Sequence, residues 1–291
     1  MLTTPEINEI LRQAGFGHEK MLESRLQGGG SINNALVIYS THKSFFLKFS
    51  SRPHSARMFE TEKTGLETLR LNGSFKTPEV LGTGSLDDKS FLLLEYIEPG
   101  NPDRNFFSKL GKALARLHQQ ENETFGFHED NFIGSLPQTN KTEKSWPEFF
   151  MKHRIQALGK KALSSGLLNE TEFEKLNALG SHLQNICPPV KPSLLHGDLW
   201  AGNFLCSKTQ EPVLIDPAVS YGNREADLAM SKLFGGFQTE FYTAYQNEFP
   251  MDEGWEERLE IWNVYPILVH LLLFGSSYKG QILSVLKKYP N

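Results

Sequence analysis

In the stretch LLHGDLWAGNFL, residues 194–205, a carboxylate (Asp198) and a carboxamide (Asn203) follow closely on His196, and a second carboxylate, Asp216, comes next in PVLIDPA. Asp, Asn and Asp in that order are the groups that Mg²⁺-assisted phosphoryl transfer requires. One carboxylate takes or orients the proton of an acceptor hydroxyl, while the carboxamide and the second carboxylate hold hard cations through oxygen. Either Asp198 or Asn203 alone would serve equally well as the cap of a turn. It is the ordered trio, bracketed by short apolar strands, that points to a shared task. His196 reads as a support for the backbone of the loop.

A second group of residues lies upstream. In GGGSINNAL, the residues Gly28, Gly29, Gly30 and Ser31 sit between β-rich segments, where glycine lets backbone N–H groups approach a phosphate closely. Gly-rich hairpins are common, and the absence of GK[ST] excludes a Walker A loop. Lys48, in FFLKFS, stands among Phe45, Phe46, Leu47 and Phe49, an odd place for a solvated ammonium unless it lies on a sheet edge. A Lys paired to a helix carboxylate there would contact the α- and β-phosphates of a nucleotide. Glu62 suits that pairing better than Glu60, because it shares a helical face with Leu66 and Leu69.

These groups need a scaffold. Thr3, Thr4, Pro5 and Glu6 read as a helix start, with Ile7, Ile10, Leu11 and Ala14 on one apolar face. Further on, Thr41, His42 and Lys43 read as a hairpin turn between two strands. A helix through Phe59, Glu62, Leu66 and Leu69 and two further short strands complete a small antiparallel sheet crossed by a helix. After Pro99-Gly100 the pattern turns helical, with Leu110, Ala113, Leu114 and Leu117 on one face. The exception is a central strand-loop-strand over 194–215. The expected fold class is therefore α+β, with a small β-rich lobe over 1–96 and a larger, mostly helical lobe over 97–291, the EYIEPG segment being the hinge.

Composition narrows the function further. A chain of 291 residues with 39% hydrophobic and 22% charged residues is globular rather than disordered. A net charge of −4 without a Lys/Arg block argues against nucleic acid as a partner. The start MLTTPEINEILRQAG has no basic region leading into an apolar one, and the apolar stretch VYPILVHLLLFG, interrupted by Pro266 and His270, is too short to span a bilayer. Two cysteines without CxxC spacing suit neither a disulfide scaffold nor zinc. A cytoplasmic protein that engages no membrane is expected, and either a monomer or a homodimer is compatible with the sequence.

Together, HGDLWAGN, LIDPAVSYGNREADLAMSKLFGGF, GGGSIN, NFIGSLPQTN and HLLLFGSSY resemble the fructosamine/ketosamine-3-kinase family, of the aminoglycoside- and choline-kinase-like branch of the protein kinase-like fold. HGD…N marks only the superfamily; Trp200 and the READLAMSKLFGGF run narrow it. The resemblance implies a bilobal kinase fold and transfer of the ATP γ-phosphoryl group to the 3-hydroxyl of a small-molecule or protein-bound ketosamine, with Mg²⁺. The phosphorylated adduct then breaks down and frees the amine, which amounts to deglycation. By the same resemblance, Asp198 is the catalytic base, Asn203 and Asp216 are Mg²⁺ ligands, and Lys48 and Glu62 position the phosphates. Glu95, Tyr96 and Ile97 meet the adenine, and Asp227 steadies the catalytic loop. Trp200 is a candidate for the acceptor side, and His270 and Tyr265 of the C-terminal helical segment are candidates to line the acceptor cleft. Ser31 stands where many relatives carry Cys, so no redox switch is expected there. Asn223 and Ser220 also depart from the family pattern and bear on which sugar is preferred. The alternative is another small-molecule kinase of this fold, acting on an aminoglycoside or a choline-like alcohol.

Overall fold

The computed structural model describes residues 2–28, 34–72 and 75–289, which form two compact units. The first comprises residues 1–106 and 202–217, so it runs on past Tyr96 and takes in a later segment of the chain. The second comprises 107–201 and 218–291.

The first unit is built on a five-stranded sheet. Helix α1 (Thr4–Gln13) is followed by strands β1 (Met21–Leu26), β2 (Asn34–Ser40) and β3 (Ser44–Ser50), helix α2 (Ser55–Leu71), and strands β4 (Val80–Leu86) and β5 (Lys89–Glu95). The strand order is β1-β2-β3-β5-β4, and every pairing is antiparallel. The capping box expected at Thr3 and Glu6 starts α1. The run SFFLKFS is apolar on both sides because both faces of β3 are covered. Phe45, Leu47 and Phe49 pack with Ile7, Ile10 and Leu11 of α1, while Phe46 joins Phe59, Leu66, Leu92 and Leu94 on the α2 side. Lys48 shares the α2 face, so its position in a buried strand places the ammonium under that helix. Gly65 of α2 is required by packing: a Cβ there would lie 2.9 Å from Cγ of Pro217, the residue after Asp216.

The second unit is mostly helical. Its core brings Phe149, Phe150, Ile155 and Leu158 against Leu176, Leu179 and Leu183 of helix Glu170–Ile186, and against Trp262, Ile267 and Leu268. Between helices Trp146–Phe150 and Ala157–Ser164 the chain makes a π-helical turn, Met151–Gln156. The strand-loop-strand expected over 194–215 resolves differently. Strand Ser193–Leu195 pairs with Ser220–Gly222 in the second unit, whereas Phe204–Cys206 pairs with Pro212–Leu214 in the first. Local pattern finds short strands but carries no information on which of them pair. No helix among the described residues is long and apolar enough to cross a membrane.

Candidate functional site

In the first unit, the Lys48 ammonium is the centre of a charge cluster. It is 7% exposed and donates to Glu62 Oε1 at 2.6 Å and to Asp216 Oδ1 at 2.5 Å. Burial alone would lower the Lys48 pKa, but the charges of Asp216 and Glu62 outweigh it and the net direction is up. Glu62 is pushed up to about 7, first by burial and then by repulsion from Asp216, against the pull of Lys48. One cation thus serves two carboxylates, and with both ionised the cluster carries an excess negative charge that a second cation would neutralise. Glu60 does not take part; it accepts from Thr83 Oγ1 at 2.5 Å.

Asp216 has φ +55, a left-handed conformation that costs energy in any residue with a side chain and tends to accumulate at functional sites. It follows strand Pro212–Leu214, and the N–H of Ile215 donates to the carbonyl of Asn203 at 3.1 Å. Asn203, 4% exposed, closes the 3₁₀ turn Ala201–Asn203. A carboxylate and a carboxamide are hard oxygen donors that suit Mg²⁺, an ion usually completed by substrate phosphates rather than by an all-protein cage. The described residues contain no group of three or more His, Cys, Asp or Glu arranged to hold a metal by themselves. Glu95 closes β5, its carboxylate accepting from Lys76 Nζ at 3.1 Å. Tyr96 meets Tyr39 edge-on at 6.3 Å, and Ile97 is buried. Gly28 follows β1 with open space where a Cβ would be. Gly29, Gly30 and Ser31 lie outside the described residues.

In the second unit, the loop that carries Asp198 is pinned from behind by Asp227. The buried Asp227 carboxylate accepts from the N–H of His196 (Oδ2, 2.7 Å), from the N–H of Gly197 (Oδ1, 3.0 Å) and from Nε2 of His118 (Oδ2, 3.2 Å). Burial opposes the charge on Asp227, but His118 and the loop donors prevail and its pKa moves down. Burial lowers the His118 pKa, and its Nδ1 lies 2.8 Å from the Tyr245 hydroxyl. A neutral His118 therefore donates to Asp227 and accepts from Tyr245. Gly197, at φ +81, has no substitute, because a Cβ there would lie 2.1 Å from the Ala218 carbonyl oxygen. His196 is fully buried, and its Nδ1 accepts the Asp198 N–H at 3.2 Å, the backbone support expected of it.

Trp200 and His270 belong to one aromatic group. Trp200 meets Phe234 edge-on at 6.5 Å, Phe234 lies 4.6 Å from the His270 ring, and His270 in turn contacts Phe274 and Tyr278 at 5.3 and 5.1 Å. Trp200, Phe234 and Phe274 are 37%, 38% and 48% exposed, an unusual concentration of large apolar surface. His270 Nδ1 donates to the Pro266 carbonyl at 2.8 Å, and burial lowers its pKa. Phe234 and His118 were not singled out from the sequence. The READLAMSKLFGGF run held the first in plain view, whereas nothing local distinguishes His118 from a core histidine.

Comparison with known proteins agrees with this arrangement. The profile of the fructosamine kinase family matches residues 4–291. A protein of Enterococcus faecium named a probable ketoamine kinase is 40% identical over 90% of this chain and 93% of its own. The protein-ribulosamine 3-kinase of rice chloroplasts is 36% identical over 90% of this chain and 77% of its own. The crystal structure of a Haemophilus somnus protein that carries the provisional name fructosamine-3-kinase superposes with a TM-score of 0.88 at 27% identity, covering 98% of this chain and 97% of that one. An aminoglycoside phosphotransferase, APH(4)-Ia, reaches 0.63 at 13% identity over 99% of this chain and 100% of its own, which shows the shared protein kinase-like fold.

Proposed function

The chain belongs to the fructosamine kinase family, and from that premise we propose that it phosphorylates the 3-hydroxyl of ketosamines with ATP, the first step in removing a sugar from an amine. The observation that carries the reading is the buried Lys48 held by Glu62 and Asp216, joined in the same chain to an Asp198 loop anchored on Asp227. Lys48 binds the α- and β-phosphates, and Glu62 holds Lys48 in place. Glu95, Tyr96 and Ile97 receive the adenine through backbone groups, and Gly28, Gly29, Gly30 and Ser31 cover the phosphates. Asn203 and Asp216 would hold Mg²⁺, which when bound neutralises phosphate charge. Asp198 orients the acceptor hydroxyl and takes its proton as that oxygen bonds to the γ-phosphorus and the bond to the β–γ bridging oxygen breaks, leaving ADP.

A ketosamine is favoured over an aminoglycoside by the aromatic group around Trp200. Its members are Trp200, Phe234, His270, Phe274 and Tyr278, and the relatives in this family are named ketoamine and ribulosamine kinases. Aromatic faces suit the sugar ring and the stem of the attached amine. The test is ATP consumption with Mg²⁺ and ribulosyl-lysine, fructosyl-lysine, an aminoglycoside or choline. Turnover of a ketosamine with phosphate on the 3-oxygen by NMR supports the reading, and turnover of the aminoglycoside or choline alone refutes it. Asp198→Asn should lower kcat by about a hundredfold or more with nucleotide affinity kept; undiminished turnover would remove its role.

A further inference from the structure

Arg154 is a buried cation with an unusual set of partners. It is 4% exposed and lies in the π-helical turn, a departure from regular helix often found at functional sites. Among the described residues no carboxylate forms a salt bridge with its guanidinium, and the Asp130 charge acts on it only from farther away. Nη1 donates to the carbonyls of Thr139 and His153 at 2.7 and 3.3 Å, and Nη2 donates to Asn140 Oδ1 and Ser220 Oγ at 2.7 and 3.3 Å. The rings of Phe149 and Tyr265 lie 4.6 and 5.5 Å from it.

A guanidinium only donates hydrogen bonds. Asn140 must therefore turn its oxygen to Arg154 and its nitrogen to Asn131 Oδ1, 3.0 Å away. Asn131 then donates from its own nitrogen to the Val219 carbonyl at 2.9 Å. Gln138 Nε2 donates to Asn131 Oδ1 at 2.8 Å and to the Ala218 carbonyl at 3.3 Å. That leaves Gln138 Oε1 as an acceptor, and it takes the Tyr265 hydroxyl proton. Each orientation in the chain follows from the one before it, beginning at Arg154.

Two results follow. Gln138, Asn131 and Arg154 grip the consecutive residues Ala218, Val219 and Ser220, the segment that backs the Asp198 loop: Ala218 N–H donates to the His196 carbonyl at 2.9 Å and Ser220 pairs with Leu195. The Tyr265 proton is also committed, and no described residue donates to the Tyr265 oxygen in return, so that oxygen offers a lone pair alone. Tyr265 is half-buried and lines a cavity of about 30 Å³ with Gly197, Arg154, Gln138 and Ser220. Burial pushes its pKa up against the pull of the Arg154 charge, with a smaller contribution from the Asp198 charge, and keeps the phenol protonated.

We propose that the Tyr265 oxygen accepts a hydrogen bond from a hydroxyl or amine N–H of the molecule being phosphorylated, and that Arg154 is the positioning residue that fixes this polarity through Asn140, Asn131 and Gln138. The proposal rests on the kinase reading above. Such a site selects acceptors that place a donor at that point and disfavours analogues with an ether or carbonyl there, since two acceptors would then face each other.

Tyr265→Phe decides the first part. With Mg·ATP and ribulosyl-lysine, the ketosamine KM should rise about tenfold, the worth of one hydrogen bond, with the ATP KM unchanged. An unchanged ketosamine KM overturns it. Arg154→Met should raise the ketosamine KM alike, Arg154→Lys should restore part of the loss, and Tyr265→Phe should add little in the Arg154→Met background. Additive losses, or an equal rise in the ATP KM, overturn the positioning role. Should Arg154→Met fail to fold, Asn140→Asp, which still accepts from Arg154 but cannot donate to Asn131, answers the same question by the same readouts. Absence of wild-type turnover on any ketosamine would refute the kinase reading itself, a result distinct from wild-type turnover that Tyr265→Phe leaves untouched.

Discussion

Asp227→Asn isolates the anchor of the catalytic loop with the smallest change of shape. The native carboxylate accepts three hydrogen bonds, two at Oδ2 from His196 N–H and His118 and one at Oδ1 from Gly197 N–H. An asparagine that keeps its oxygen at the Oδ2 position retains the first two and sets its own amide against the Gly197 N–H. The flipped orientation is worse, because it opposes both His196 N–H and His118. The cheaper arrangement still orphans one buried donor, which costs about 2 kcal/mol, whereas Asp227→Ala orphans all three and should cost about 3–5 kcal/mol. Against a total stability of roughly 5–15 kcal/mol, the asparagine variant folds and the alanine variant is marginal. Gly197 directly precedes Asp198, and a shift of about 1 Å at a reacting group can cost about a hundredfold in rate. The Asp227→Asn enzyme should therefore show a lower urea midpoint and a kcat reduced by about ten- to a hundredfold, with the ATP KM unchanged because Lys48, Glu62 and Asp216 are untouched. The reasoning fails if urea unfolding and kcat both match wild type.

Two further outcomes are expected. Lys48→Met leaves Glu62 and Asp216 facing each other without their shared cation; kcat for ketosamine phosphorylation should fall about a hundredfold or more, and a loss under tenfold would remove the phosphate-positioning role. The second concerns pH. Burial holds the His118 pKa below its ordinary value, so the unfolded chain takes a proton there before the folded one, and the stability that His118 contributes is lost as pH falls through about 6.5. Glu62, raised to about 7, acts in the opposite sense, because its folded form holds a proton that the unfolded form releases. Comparing wild type with His118→Gln cancels the Glu62 contribution. Urea-unfolding free energy should decline more steeply in wild type than in the variant between pH 7 and 5.5, by at most about 1.4 kcal/mol per pH unit for one proton; parallel curves would contradict a neutral, buried His118.

The first unit was readable in detail because its signals are local. The choice of Glu62 over Glu60 follows from helical phase alone: Phe59, Leu66 and Leu69 are buried on the same helix, while Glu60 points to Thr83. Lys48 announced itself as a charge inside an apolar run. In the second unit the informative contacts join residues far apart in the chain. His118 and Asp227, Arg154 and Ser220, and Gln138 and Tyr265 meet only through tertiary packing. NFIGSLPQTN carries a family resemblance, but the roles of Asn131, Gln138 and Asn140 emerge only from their partners. The pairing of Ser193–Leu195 with Ser220–Gly222, rather than with the next strand in the chain, went unread for the same reason.

The membership of residues 202–217 in the first unit has a consequence for how the chain is made. When Phe106 has left the ribosome the five strands are present, but Pro217 is not yet against Gly65, Phe204 is not beside Phe106, and Asp216 has not reached Lys48. At about 5–20 residues per second, the missing segment is complete only about 6–22 seconds later, after residues 107–201 of the second unit have emerged. Asp216 brings the second carboxylate to Lys48, so the charge cluster of the first unit is completed only well after its sheet has been synthesised.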